Sequence, residues 1–196
     1  EDPGAPNYDA ALKLIRSPHS GSTGPVFGKE EGAAPNRWSK GMRSYGLPLT
    51  DIPGIGHYDD LKDTAKAQQM GAAMQKRIYR GDVATNLLST ALVANAYLLT
   101  GDEKYANWIR EYTGAWLERA RANGGIAPDN VGLSGKIGEY HGGKWWGGLY
   151  GWQWPHGYYN VSMGLQVAAA SAALVSKGDP RYLELPRTTL DQIMAK

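Results

Sequence analysis

The chain has 196 residues, enough for one domain with a real core or a substantial part of a larger one, and carries a net charge of only +2. No concentrated basic face appears, so nucleic acid is not expected as a partner, and the absence of cysteine rules out disulfides, zinc thiolate sites and thiol nucleophiles. No apolar run is long enough for a membrane-spanning helix, and the start at Glu1-Asp2-Pro3-Gly4 suits a mature secreted or periplasmic chain as well as one cut from a longer sequence.

From Asn7 to Arg16 the apolar positions Tyr8, Ala11, Leu12 and Ile15 recur at helical spacing, and Ser17-Pro18 stops the helix they predict. Ser17 to Tyr58 is rich in Gly and Pro; Pro25, Pro35, Pro48 and Pro53 break any helix. It reads as an irregular arm carrying Arg37, Trp38, Lys40, Arg43 and Tyr45, with short strands around Ser44 to Leu49. The expected division is an arm over 1–58 and a helical region over 59–196.

A helix is expected from Asp59 or Asp60, as N-cap, to about Tyr79, with the stripe Ala67, Met70, Gly71, Met74 and Ile78. Lys76 to Arg80 reads as its cationic last turn. Val83 to Leu99 carries no charge and is predicted to be a helix buried nearly all round. Thr100-Gly101 ends it, and Asp102 caps an amphipathic helix with Tyr105, Trp108, Ile109, Tyr112 and Trp116 along one face, which Asn123-Gly124-Gly125 stops. An apolar helix is expected again over Val161 to Ser176, with Asn160 as a candidate N-cap. Gly178-Asp179-Pro180-Arg181-Tyr182 then matches Gly101-Asp102-Glu103-Lys104-Tyr105 at a spacing of 77 residues, an internal repeat of a helical hairpin. Pro186 is expected to interrupt the last helix.

Between these hairpins, Gly138 to Asn160 holds four of the seven tryptophans, four tyrosines, two of the four histidines and seven glycines. Glycine at that density does not suit a packed strand or helix, and exposed indoles do not suit a mere connection. The composition points to a shaped, ligand-facing loop.

Three groups in or near the chain's loops have the residue types for chemistry. Asp129 and Glu139 are two carboxylates of the kind that flank a glycosidic bond during hydrolysis. Tyr140, His141, His156, Tyr158, Tyr159 and Asn160 combine groups that titrate near neutrality with hydrogen-bonding partners; a Tyr near cations such as Lys144 or Arg43 would have its phenolate favoured. His57, Asp59 and Asp60 have metal-ligand types, but helix capping explains the aspartates and no metal is expected. Phosphate-cradling glycine motifs are absent. Trp145, Trp146, Trp152 and Trp154 are candidate platforms for sugar faces, with Asn130 and Lys144 as polar neighbours.

The uncharged helix, the turn Thr100-Gly101-Asp102-Glu103-Lys104-Tyr105, the amphipathic helix and the Trp- and Gly-rich loop before the next uncharged helix together resemble the (α/α) toroid carbohydrate-active enzymes. These include polysaccharide lyases and six-hairpin glycoside hydrolases. The resemblance, over Asp59 to Lys196, implies an all-α fold of helical hairpins, here about half of a ring, with a long irregular N-terminal arm and a large aromatic, Gly-rich loop. It implies an oligo- or polysaccharide substrate and no cofactor. Lyases of this type use His and Tyr as base and acid and Asn, Arg or His against the uronate carboxylate, which points to His156, Tyr159, Tyr140 and His141. A hydrolase would use Asp129 and Glu139, and a non-catalytic glycan-binding module would use the tryptophans alone. β-Elimination at a uronate is slightly favoured. A half ring would leave apolar helix faces open, so self-association or binding to a partner domain is expected.

Overall fold

The computed structural model describes residues 6–17, 40 and 42–195; Arg37 and Trp38, with Pro25 and Pro35, lie outside them. Among the described residues the fold is all-α apart from one small hairpin. Its strands are β1 (Tyr8–Asp9) and β2 (Leu14–Ile15), paired antiparallel with Tyr8 opposite Ile15.

That hairpin replaces the helix expected over Asn7 to Arg16. Asp9 Oδ1 accepts the N–H groups of Ala11 and Leu12, each at 3.0 Å, which folds the chain back instead of letting it coil onward. Lys13 takes a left-handed φ of 52°, incompatible with a right-handed helix. The decisive contact is distant: Ile15 N–H donates to Asp82 Oδ2 at 3.0 Å, and Leu14 is fully buried. A tertiary partner for the strand outweighs a weak local period.

The segment Met42–Tyr45 forms a 3₁₀ turn, so no strand occupies Ser44 to Leu49. A second 3₁₀ turn, Tyr58–Lys62, precedes α1 (Thr64–Arg77), and the helix cap is Asp63, not Asp59 or Asp60. Asp63 Oδ1 accepts from Ala65 and Lys66 N–H at 2.8 and 3.1 Å. Asp60 Oδ2 accepts from Gly56 and His57, which stabilises the turn and delays the helix. The expected stripe holds: Ala67, Met70, Gly71 and Met74 are buried, and with Leu49, Ile55, Leu61 and Leu149 the apolar members form a core.

Val83 to Leu99 is not one helix buried all round. It divides into a 3₁₀ turn, Ala84–Leu88, and α2 (Ser89–Thr100), and α2 buries only Thr90 and Ala94 while Leu92, Leu98 and Leu99 face outward. Lack of charge lets a helix be buried but does not supply the neighbour that buries it. The amphipathic helix α3 (Glu103–Ala122) forms as expected, with Asp102 Oδ1 accepting Lys104 N–H at 3.0 Å.

Helix α4 (Gly157–Val175) starts earlier than Val161, and Asn160 is therefore not its N-cap. The chain passes so close to itself that a Cβ on Gly157 would meet the carbonyl of Gly151, fixing the helix start at the glycine. Asn160 instead donates to the Tyr150 carbonyl at 3.4 Å. The last helix, α5 (Glu184–Met194), follows a 3₁₀ turn over Pro180–Leu183. Pro186 does not split it, because in the first turn its missing N–H has no intrahelical partner to lose.

The 77-residue repeat holds in three dimensions. Gly101 and Gly178 both have left-handed φ, and Asp102 and Asp179 both cap. Lys104 and Arg181 each bridge to that capping carboxylate and lie over Tyr105 and Tyr182 at 4.8 and 4.9 Å. Helices α2 to α5 pack into one body, with α3 touching α2, α4 and α5. Leu14 of the hairpin shares a core with Tyr112, Trp116, Val161 and Leu185.

Candidate functional site

The loop between α3 and α4 is organised by two buried carboxylates. Asp82 accepts from Ile15 N–H, Val83 N–H, Asn86 Nδ2, the Tyr112 hydroxyl and Trp116 Nε1, the last two at 2.9 and 3.3 Å. Its backbone exchanges two hydrogen bonds with Val131, which anchors the loop's start. Asp129, also fully buried, accepts Gly147 N–H at 3.0 Å, Gly148 N–H at 2.8 Å, Trp152 N–H at 2.8 Å and Asn130 Nδ2 at 3.0 Å. Burial pushes both carboxyls above the usual range, against the pull of these donors. A Cβ on Gly148 or Gly151 would run into Asp129, so the glycines there are what let backbone reach its carboxylate.

Asn130 extends the same brace, donating to the Lys144 carbonyl at 3.2 Å and accepting Gly138 N–H at 3.0 Å. Two of the tryptophans are anchors. Trp152 donates through Nε1 to the Ala127 carbonyl at 2.9 Å, and Trp154 to the Gly148 carbonyl at 3.1 Å, with both rings packed against the apolar cores. Trp145 lies edge-on to Trp152, centroids 6.3 Å apart.

Trp146 behaves differently: it is 38% exposed and lines a small cleft with Asp51, Arg77, His141, Lys144 and Gln153. The cleft holds about 20 Å³, room for one water-sized group or one carboxylate oxygen and not for a sugar ring. Its walls come from three segments. Arg77, at the end of α1, forks onto Asp51 at 2.7 and 3.1 Å and donates through Nε to the Tyr140 carbonyl at 3.2 Å. This pairing holds the Asp51 carboxyl below its usual range. Lys144 Nζ stands 5.0 Å from the centre of the Trp146 ring.

His141 is buried against this group, and its titration is lowered from 6.5 to about 4. Burial is the main cause, followed by the positive charge of Arg77; Asp51 opposes and Lys144 adds to the lowering. The imidazole is therefore neutral at pH 7, with Arg77 and Lys144 near enough to act on it. Thr50 lines this cleft and also an open one of about 410 Å³ bounded by Arg43, Leu47, His57 and Asp59. There Asp59 pairs with Arg43 and Lys62 and Asp60 with Lys66, so cations already engage both carboxylates.

The other candidates stand elsewhere. Glu139 Oε2 accepts from Ser134 N–H and Oγ, at 3.0 and 2.6 Å; burial raises its carboxyl, but these bonds outweigh it and the net shift is downward. Burial shifts the Tyr140 hydroxyl upward, so its phenolate is disfavoured, contrary to the expectation for a tyrosine near cations. His156 is exposed at the start of α4 with its ring 6.4 Å from Tyr45, and Tyr158 and Tyr159 project from the first turn. Thus His141, Lys144 and Trp146 share a cleft, while Asp129 and Asn130 hold the backbone of the loop that carries them. Asp51, Arg77 and Gln153 were not legible as site residues; the basic stretch Lys76 to Arg80 was the one sign of Arg77.

No curated protein and no solved structure matches the chain. A family model matches over residues 1–196, and the chain belongs to the family that this model describes, a domain of unknown function (DUF8034).

Proposed function

We propose that this chain is a carbohydrate-active enzyme of (α/α) toroid type, acting on a uronate-containing glycan by β-elimination. The observation that carries the reading is the cleft in which neutral His141 sits beside Lys144 and the exposed Trp146. Trp146 offers a face for the apolar side of a sugar ring, the ring lying over the cleft and its carboxylate reaching in toward Lys144. The open cleft across Thr50 accommodates neighbouring sugars.

The chemistry follows from charge. A uronate carboxylate offsets the field of Lys144 and Arg77, and the basicity of His141 rises when it is needed. His141 then takes the C5 proton while Lys144 stabilises charge growing on the carboxylate. The C4–O bond breaks, a C4–C5 double bond forms, and the leaving oxygen takes up the proton that His141 acquired. With its basicity raised from the low resting value by the bound carboxylate, the imidazole both accepts the C5 proton and, as imidazolium, returns it to the leaving oxygen.

Hydrolysis by Asp129 and Glu139 fits these surroundings less well. Asp129 is wholly buried with four donors on its carboxylate, and Glu139 is tied to Ser134. A non-catalytic glycan-binding module is the second reading, favoured by the same Trp146 and Lys144 pair. Ultraviolet absorbance of unsaturated uronate, followed over a panel of polyanionic glycans, tests the proposal: its growth with at least one glycan is expected. Binding with no product on any glycan that binds would leave the module reading instead.

A further inference from the structure

The repeat relates helix faces that are buried between α3 and α4 but left open on α2 and around α5. In the hairpin pair, Ala106 and Ile109 of α3 share a buried cluster with Ala172 and Val175 of α4. Shifting α3 forward by 77 residues places Leu183, Leu190, Ile193 and Met194 where Ala106, Thr113, Trp116 and Leu117 stand. The α3 set is buried, whereas Leu190 and Met194 are 47% and 76% exposed and Leu183 and Ile193 also face outward. Shifting α4 back by the same amount places Leu92, Asn95 and Leu98 where Ala169, Ala172 and Val175 stand. The α4 set is again buried, while Leu92 and Leu98 are 74% and 62% exposed.

We infer that a second copy of this chain covers these faces, the open face of α2 in one copy docking on the open face around α5 in the other. The α3–α4 contact is the template, so the new interface continues one already present inside the chain. Leucines dominate the uncharged α2 face, with Asn95 as its polar member, and aliphatic side chains with Arg187 at the rim dominate the face around α5, so closing the two together removes apolar surface from water. The groove beside α5, about 290 Å³ between Tyr158, Leu165, Leu183, Pro186, Leu190 and Ile193, gives incoming leucines a recess. Two copies joined head to tail at both ends close on themselves. The inference rests on the repeat and the exposures, independently of any sugar chemistry.

The chain has no cysteine, which makes the contact directly testable. Leu98→Cys and Leu183→Cys, the equivalents of neighbouring Val175 and Ala106, are prepared separately, mixed and mildly oxidised. Heterodimers between the two variants should dominate over disulfide-linked pairs of either alone. Sedimentation of the unmodified chain should give twice the chain mass, and Leu98→Glu or Leu190→Glu should halve it with helical circular dichroism retained. If either glutamate variant loses helix, Leu99→Glu or Met194→Glu replaces it. A monomeric unmodified chain, an undiminished mass in the α2 variant, or no preference for the mixed disulfide overturns the proposal.

Discussion

The carboxylate of Asp129 accepts the backbone N–H of Trp152 at 2.8 Å, across 23 residues of glycine-rich chain. With Gly147 and Gly148 bound to the same group, one side chain decides where the aromatic loop lies. Asp129→Ala would orphan three buried N–H groups, at a cost of about 3 kcal/mol or more. Urea unfolding should show the loss, and amide exchange should accelerate first at Gly147, Gly148 and Trp152.

Gly151→Ala attacks the same relationship from the other side, since its Cβ would enter the Asp129 carboxylate. The loop must shift, costing about 1–3 kcal/mol. Gly142→Ala is the control for crowding: nothing lies near its Cβ position, although its φ of 63° adds backbone strain. Thermal unfolding should place Gly151→Ala clearly below that control.

Tyr112→Phe removes the 2.9 Å hydrogen bond to Asp82 without opening a large cavity. Asp82 is buried and keeps its other donors, so the expected loss is about 1 kcal/mol, the scale of one buried hydrogen bond. Denaturant midpoints measure it, and an unchanged midpoint would remove Asp82 as the anchor of the loop's start.

His141 makes stability depend on pH. Its folded value of about 4 lies below the ordinary 6.5, so between these values the unfolded chain binds more protons. Stability is full above pH 6.5 and falls as pH drops toward 4, by about 3 kcal/mol in all. His141→Gln should flatten that part of the profile, as read from chemical unfolding at a series of pH values.

Trp146→Ala should weaken glycan binding about tenfold or more, the scale of one stacking face, while leaving the unfolding midpoint nearly unchanged because the ring is partly exposed. Trp152→Ala should do the reverse in stability, since that indole anchors the loop to the Ala127 carbonyl. Calorimetric titration with the same glycan distinguishes the two rings.

The helical frame was largely legible from the chain, because its signals are local. Asp102 with Gly101, and Asp179 with Gly178, mark helix boundaries through contacts within a few residues. The N-terminal hairpin was not, because the Ile15 contact that decides it reaches 67 residues to Asp82. The outward exposure of the α2 leucines was not legible for a related reason: burial depends on a neighbour that sequence periodicity does not name. In the candidate cleft, composition pointed to His141, Lys144 and Trp146. It missed Arg77 and Asp51, which arrive from 63 residues before Tyr140 and from the arm. Composition also singled out Asp129 as a candidate carboxylate but gave no sign that its oxygens accept the backbone N–H groups of Gly147, Gly148 and Trp152.

The most direct measurement is the initial rate of unsaturated-uronate formation by His141→Ala at a saturating concentration of a glycan the unmodified chain cleaves. If His141 is the group that moves the proton, the rate falls at least a hundredfold while calorimetry shows the glycan still bound. A rate within a fewfold of the unmodified chain, with binding intact, would contradict the account.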